Sequence, residues 1–229
     1  MRLMALSLSA FFALPLVGCP SEPTEEEPED LVRDFPEAPA QGFALTTPEY
    51  VIPGGTEKQF CFITTYEGED VGITATYNYQ TVMGHHVTMF GTSATERDFP
   101  DGMSWDCTET EALDMTSMEP IIIGGSIEYD EGGVLNAFEL PEGMAAPLEN
   151  GQRIVVQSHY VNTKPNPVLV QDQAQVATIP EDEVVTWTAP LVATVTEFEI
   201  PANTMDFSLT FDCSYDDSYN LLFLSLIHI

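Results

Sequence analysis

Three of the four histidines in this 229-residue chain are placed where they could share one metal ion. His85 and His86 are adjacent, and His159 follows Gln157-Ser158 later in the chain. Neutral imidazole is a good ligand for copper and zinc, and three imidazoles can fill the first shell of either ion. The residue types and spacing therefore allow one metal site formed by His85, His86 and His159. The ordinary alternative for an adjacent pair is one buried, hydrogen-bonded histidine and one histidine in solvent.

A shared site requires the strand that carries His85 and His86 to be irregular. Successive side chains of a regular strand point to opposite faces of the sheet. Both rings can reach one ion only if the strand starts, ends or bulges at this pair, and Gly84 just before the pair makes such a distortion easy. We therefore expect a strand irregularity at residues 84–86.

The pattern after about residue 42 is typical of β-structure. Apolar and polar residues alternate over residues 73–79, and a β-branched run at 154–156 predicts a buried strand. Turn signals with Gly and Pro recur, and no amphipathic helix longer than two turns is evident. These features predict an all-β protein, an antiparallel jelly-roll-like β-sandwich.

The later part of the chain predicts a closing pair of strands over residues 176–187 and a domain boundary near 189. Alternation over residues 207–213 then predicts a strand of a second sandwich. Its buried face would consist of Phe207, Leu209, Phe211 and Cys213.

The first nineteen residues predict an exported lipoprotein. Met1-Arg2 precedes an apolar run over residues 3–16 that is too short to be a stable membrane span. The ending Leu16-Val17-Gly18-Cys19 resembles a bacterial lipobox, whose cysteine becomes the lipidated first residue of the mature chain. Acyl chains on Cys19 would hold the protein at a bacterial membrane, on its periplasmic or cell-surface face.

The chain is strongly acidic, with 37 Asp and Glu against 6 Lys and Arg and a formal net charge of -31. Such a surface repels phosphate backbones, which argues against nucleic-acid binding. Residues 20–41 are rich in Pro and Glu and predict a disordered tether. A calcium site is the lesser interpretation of the acidic residues, because no Asp-x-Asp-x-Asp-Gly loop is present.

Five segments follow the order of one family's motifs. They are residues 59–61 (Gln-Phe-Cys), 85–91 (His-His-Val-Thr-Met-Phe-Gly), 104–107 (Ser-Trp-Asp-Cys), 140–143 (Leu-Pro-Glu-Gly) and 154–160 (Ile-Val-Val-Gln-Ser-His-Tyr). Together they resemble the copper type II, ascorbate-dependent monooxygenases, which include the peptide α-hydroxylating and dopamine β-hydroxylating enzymes. The histidine segments are similar to that family's His-His-Met-x-Leu-Phe-Gly and Val-Leu-Gln-Val-His-Tyr. The resemblance is colinear from about residue 43 to 223.

This resemblance implies roles for six residues. His85, His86 and His159 would bind the first copper, which in the family stores and delivers an electron. Gln157 would orient the ligands from just outside them, although a polar residue on the other side of the sheet is an equal alternative. The remaining pair, Cys61 and Cys107, would form a disulfide. Residues 42–189 would be the N-terminal copper domain, and residues 190–223 the start of the second domain.

The resemblance also implies an activity. The family hydroxylates C–H bonds with O2, two separated coppers and ascorbate or a similar reductant, and its substrates are small molecules or peptides with an activated C–H bond. Two alternatives remain open. The three histidines could form a zinc enzyme with water in the open position, or the protein could be a non-catalytic copper-binding surface lipoprotein.

The end of the chain predicts that it is truncated. In the family, a His-x-His and a later methionine of the second domain hold the second copper, and the cysteine that matches Cys213 pairs within that domain. We therefore expect one copper in this chain, and no activity from it alone. Residues 224–229 look like the translation of a transposon-end sequencing adapter, so we expect a non-native tail. The alternative is that His228 begins the His-x-His.

Overall fold

A computed structural model of the protein describes residues 27–107, 118–122, 126–130, 133–190, 199–210, 212 and 220–222. These residues form an all-β sandwich, which confirms the predicted fold class. The helical structure among them is one 3-10 turn, Glu181–Glu183. No helix in these ranges is long and apolar enough to cross a membrane.

Fifteen strands are found in the described ranges. They are β1 (Glu29–Asp30), β2 (Gly42–Thr46), β3 (Tyr50–Ile52), β4 (Glu57–Thr65), β5 (Val71–Thr81), β6 (Gly84–Thr92), β7 (Ser104–Asp106), β8 (Met118–Ile122), β9 (Ser126–Asp130), β10 (Gly133–Glu139), β11 (Met144–Leu148), β12 (Arg153–Val161), β13 (Val168–Val170), β14 (Gln173–Pro180) and β15 (Thr186–Trp187).

Two large sheets form the sandwich. An antiparallel five-stranded sheet has the order β7-β4-β12-β6-β8. The facing sheet has the order β15-β11-β5-β10-β9, and β14 pairs with both β5 and β2. A small third sheet, β1-β13-β3, is separate from these two. The pairs β1–β13 and β11–β15 are parallel, which departs from the predicted antiparallel arrangement.

The alternation of β12 gives its two faces different roles. Ile154 and Val156 point between the large sheets and pack with Ile73 and Val176 of the facing sheet in one buried cluster. Each such aliphatic side chain contributes about 1.5–3 kcal/mol when it is fully buried. Because side chains alternate along a strand, His159 belongs to the opposite, outer face of the five-stranded sheet. This outer face is where the candidate site lies.

The described part of the predicted tether, residues 27–41, lies against the domain. β1 pairs with β13, and Leu31 packs against the buried cluster around the third sheet. Nζ of Lys164 forms an ion pair with Glu29 at 2.7 Å. The tether over residues 20–41 stays a prediction, and Leu31 supplies apolar contact that the acidic composition of this segment concealed.

Two predictions about later strands are wrong. β14 and β15 do not pair with each other, since β15 runs beside β11. Residues 207–210 form no strand, and Phe207 and Leu209 are 42% and 46% exposed. An alternating pattern is buried only where another layer covers it, and no described strand pairs with this segment. Phe211 and Cys213 lie outside the described residues, and the boundary at residue 189 stays a prediction.

Candidate metal centre

A bulge in β6 brings the two adjacent histidines to one side of the sheet. His86 lies opposite His159 of β12, whereas Gly84 lies opposite Tyr160. The register therefore shifts at this point, and His85 is the extra residue of β6. A bulge places an additional residue on one strand and re-aims its side chain. The predicted strand irregularity at residues 84–86 is present.

Gly84 is required at the bulge for space rather than for an unusual backbone angle. A Cβ atom at this position would lie 2.5 Å from Cβ of Gln80 and 2.8 Å from its Cδ. The left-handed backbone conformation belongs instead to Met83, whose φ is 79°. Non-glycine residues rarely adopt this region, and such strain concentrates at functional sites. The turn that leads into the histidine pair thus combines close packing at Gly84 with an unfavourable backbone conformation at Met83.

The three histidines converge through their Nδ1 atoms. Nδ1 of His85 is 3.0 Å from Nδ1 of His86 and 3.1 Å from Nδ1 of His159. Possible ligand atoms of all three residues lie within 4.8 Å of one another. Two nitrogens that are each about 2.0–2.1 Å from one ion, at a tetrahedral angle, are about 3.3 Å apart. The two separations from His85 are close to this value, and the third pair, His86 and His159, lies within 4.8 Å, so the three rings form a candidate donor set for one ion of the size of copper or zinc.

Exposure increases across the three histidine rings. His159 is buried, with 2% of its surface exposed, His86 is half-buried, and His85 is exposed. Burial, followed by repulsion from His159 and His85, lowers the pKa of His86 to about 4. A metal binds the neutral form of imidazole, so His86 is ready to act as a ligand at neutral pH. The exposed ring of His85 leaves the site open towards solvent on one side.

Glu57 contacts the most buried of the three rings. Nε2 of His159 lies 2.7 Å from Oε1 of Glu57, in a pair that spans β12 and β4. A carboxylate accepts hydrogen bonds, so this contact favours the tautomer of neutral His159 that has its hydrogen on Nε2 and leaves the lone pair of Nδ1 for a metal. Metal-binding histidines commonly use such a carboxylate partner. Sequence reasoning missed Glu57, although its position four residues before Cys61 on β4 places both on the same face.

Gln157 lies on the same outer face of the five-stranded sheet as His159. It is two residues from His159 on β12, so both side chains leave the same side of the strand. Its neighbours across the sheet are Cys61 and Thr88. Within the described ranges, Glu57 rather than Gln157 is hydrogen-bonded to a histidine ring. The predicted orienting role of Gln157 stays a prediction.

A disulfide lies next to the site on the same face. Cys61 and Cys107 are bonded, which confirms the predicted pair, and Cys61 lies opposite Gln157. Cys61 is completely buried in a cluster that includes Phe99 and is packed against by Trp105. The disulfide therefore fastens the segment after β6 onto the outer face of the sheet.

Arg153 holds the same segment at a second place. Its Nη1 donates to the carbonyl oxygen of Ala94 at 2.9 Å, and its Nη2 donates to Asp101 at 3.1 Å and to the carbonyl oxygen of Phe99. Arg153 begins β12, the strand that carries His159. β12 thus holds the segment between β6 and β7 and also carries His159.

The remaining predicted residues lie outside the described ranges. They are Cys19, Cys213 and His228. Lipidation, the partner of Cys213 and the origin of residues 224–229 stay predictions.

The described residues thus define an all-β sandwich with a three-histidine cluster on the outer face of one sheet. No protein-family model matches the chain, and no curated protein matches it either.

Proposed function

We propose that His85, His86 and His159 bind one copper ion, and that the chain supplies the electron-storing copper site of a copper- and ascorbate-dependent monooxygenase. The observation that carries the proposal is the convergence of three imidazole nitrogens at 3.0 and 3.1 Å. The ordered motifs of the resemblance favour copper among the metals that this donor set accepts. The whole enzyme would hydroxylate an activated C–H bond of a small molecule or peptide with O2.

The ligand shell suits an ion that changes its oxidation state. Copper, when bound, supplies a one-electron store that an external reductant such as ascorbate can fill. Three neutral imidazoles accept both copper oxidation states without changing their own charge. The bulge in β6 and the pairing of β6 with β12 hold two of the rings on a sheet, so little rearrangement accompanies a change of charge. His85 leaves one side accessible to the reductant.

The contacts of Glu57 support electron storage over hydrolysis. A zinc hydrolase needs a general base beside the open position of its metal. Glu57 contacts the site, but its Oε1 is engaged with Nε2 of His159, on the side of the ring away from the Nδ1 atoms. This carboxylate therefore orients a ligand and is not positioned to activate a metal-bound water.

Spectroscopy of the copper-loaded chain tests the proposed function. We expect one Cu(II) per chain with the electron paramagnetic resonance signal of a type II site, and we expect ascorbate to abolish that signal. A copper that ascorbate does not reduce would contradict electron storage. That result would favour the alternative of a non-catalytic copper-binding protein. Selective retention of zinc from a mixture of both ions would contradict the copper assignment and favour the zinc enzyme.

Replacing Glu57 with Gln is expected to weaken copper binding about tenfold, at the lower end of the effect of such carboxylate partners, since Glu57 is partly in solvent. The amide keeps the size of the side chain but loses the negative charge that makes His159 a stronger donor. Competitive Cu(I) titration against a chromophoric chelator measures the change. Glu139→Gln, an exposed exchange that leaves the site untouched, is the matched control. Equal affinities of E57Q and E139Q would contradict the orienting role.

We also propose that the protein is exported and anchored to a bacterial membrane through lipid on Cys19. The support is the lipobox-like sequence Leu16-Val17-Gly18-Cys19. Cells that express the complete chain with a labelled fatty acid should produce a labelled, membrane-associated protein. The C19A variant should be unlabelled. Label on C19A, or an unlabelled wild-type chain, would contradict the proposal.

A further inference from the structure

A fully buried carboxyl group lies on the other side of the strand that carries His159. Asp172 connects β13 to β14 and has no exposed surface. The hydroxyl of Tyr160 donates a hydrogen bond to its Oδ1. Its other oxygen, Oδ2, has no hydrogen-bond partner within ordinary distance. A buried polar oxygen without a full set of partners is rare and calls for a functional explanation.

The groups that face Asp172 come from four parts of the sandwich. On β12 they are Tyr160 and Ser158, on β5 Gln80, on β3 Tyr50, and between β2 and β3 Thr47. Thr81 of β5 contacts the hydroxyl of Tyr160. Arg33 contacts the edge of this cluster: its Nη1 donates to the carbonyl oxygen of Gln80 at 3.4 Å, and its guanidinium lies over the ring of Tyr79. The hydrogen bonds shown to Asp172 therefore come from neutral groups.

The groups around Asp172 include both sequence neighbours of His159, the buried member of the proposed site. Ser158 and Tyr160 are the two neighbours of His159 and point to the opposite face of β12. In addition, Nε2 of Gln80 donates to the carbonyl oxygen of His159 at 3.4 Å. Gln80 is also the residue that packs against Gly84 at the bulge. The carboxyl cluster thus supports both strands that present the histidines.

Asp172 is poised between its charged and neutral forms. Burial raises its pKa to about 6, although the polar side chains of Ser158, Tyr160 and Gln80 beside it oppose the increase. A buried charge with neutral partners is costly, so its protonation responds to any nearby change of charge. The three-histidine site on the opposite face of the same strand is where such a change would occur, because neutral imidazoles do not balance a change in the charge of a bound ion.

We propose that Asp172 is an internal proton acceptor coupled to the metal site. When the site gains one electron from a reductant of the ascorbate class, Asp172 takes up one proton from solvent, so that the net charge of this region is unchanged. When the site passes its electron to an external one-electron oxidant, Asp172 releases that proton. Asp172 is a positioning and charge-compensating residue and does not touch the ion. This inference rests on the proposed copper function.

The dependence of the copper reduction potential on pH tests the coupling in the full chain. We expect the potential of the wild type to fall as pH rises from 5 to 8, with the ratio of reduced to oxidised copper changing several-fold per pH unit. The D172N variant should lose this dependence, whereas D182N, which removes an exposed carboxylate in the 3-10 turn, should keep it. Equal slopes for wild type and D172N would overturn the inference while the copper site stands. A chain that binds no copper would overturn the proposed function as well.

A second measurement uses the wild-type chain and does not depend on how D172N folds. The carboxyl carbon of Asp172 is followed by nuclear magnetic resonance through a pH titration, once with Ag(I) bound and once with Zn(II) bound. These two diamagnetic ions carry the charges of reduced and oxidised copper. We expect the midpoint to be lower with Zn(II) than with Ag(I), because the larger positive charge favours the carboxylate. Equal midpoints would overturn the coupling.

Discussion

Replacing His159 with Ala is expected to lower the affinity for Cu(I) by at least about 100-fold, more than the 10–100-fold loss that accompanies removal of a supporting group. This change corresponds to about 2.8 kcal/mol of binding free energy. His159 is the buried member of the three, and its Nδ1 is 3.1 Å from that of His85. Its removal leaves two imidazoles on one strand without the opposing ligand from β12. Competition with a chromophoric Cu(I) chelator measures the loss.

Gln59 provides the matched control for this variant. It lies directly opposite His159 on β4, so Q59A removes a side chain of similar position without removing a ligand. We expect Q59A to bind copper within about threefold of the wild type, a change of about 0.7 kcal/mol, since Gln59 supplies none of the three converging donor atoms. An H159A protein that binds copper as tightly as Q59A would show that His159 is not a ligand.

Among the variants proposed, the one that removes the disulfide is expected to lower the free energy of unfolding most. The bond between Cys61 and Cys107 spans 46 residues, and closing a loop of this length stabilises the folded state by about 4 kcal/mol in the chain-entropy account. Cys61 is also completely buried, so the double change C61A/C107A leaves a small void in its cluster. Urea unfolding of the oxidised wild type and the double variant, followed by tryptophan fluorescence, measures the difference.

Two comparisons separate the bond from the side chains. Wild type under reducing conditions should approach the stability of C61A/C107A, whereas the double variant should not respond to reductant. A difference between oxidised wild type and double variant below about 1 kcal/mol would contradict a stabilising role, since natural disulfides of small exported domains usually contribute 2–5 kcal/mol. The loss of copper-binding free energy should be smaller than the loss of unfolding free energy. The pairing of β12 with β6 holds the three histidines independently of the segment that the disulfide fastens.

Local patterns predicted the sandwich and the strand irregularity beside the adjacent histidines. The β-branched run at residues 154–156 lies in β12, and the need for a bulge followed from the adjacency of His85 and His86 alone. These features depend on strand alternation, which each segment carries by itself. Gly84 was predicted to matter for its backbone freedom. The structure shows a different reason, because a side chain at this position would collide with Gln80 on β5.

Features that depend on distant partners were not predictable. Glu57 contacts His159 across 102 positions of the chain, and sequence alone does not say that β4 lies beside β12. Asp172 is the same case, since nothing near it in sequence indicates that an aspartate would be fully buried against Tyr160. The contact of Leu31 with the third sheet depends in the same way on the pairing of β1 with β13, which the sequence near Leu31 does not indicate.

X-ray absorption spectroscopy of the chain loaded with Cu(I), combined with metal analysis, tests the three-histidine copper site most directly. The geometry of His85, His86 and His159 predicts one copper per chain and a first shell of three imidazole nitrogens at about 2.0 Å. The H159A variant should lose one of these nitrogens. A wild-type chain that retains no copper, or a copper shell without imidazole scattering, would contradict the site.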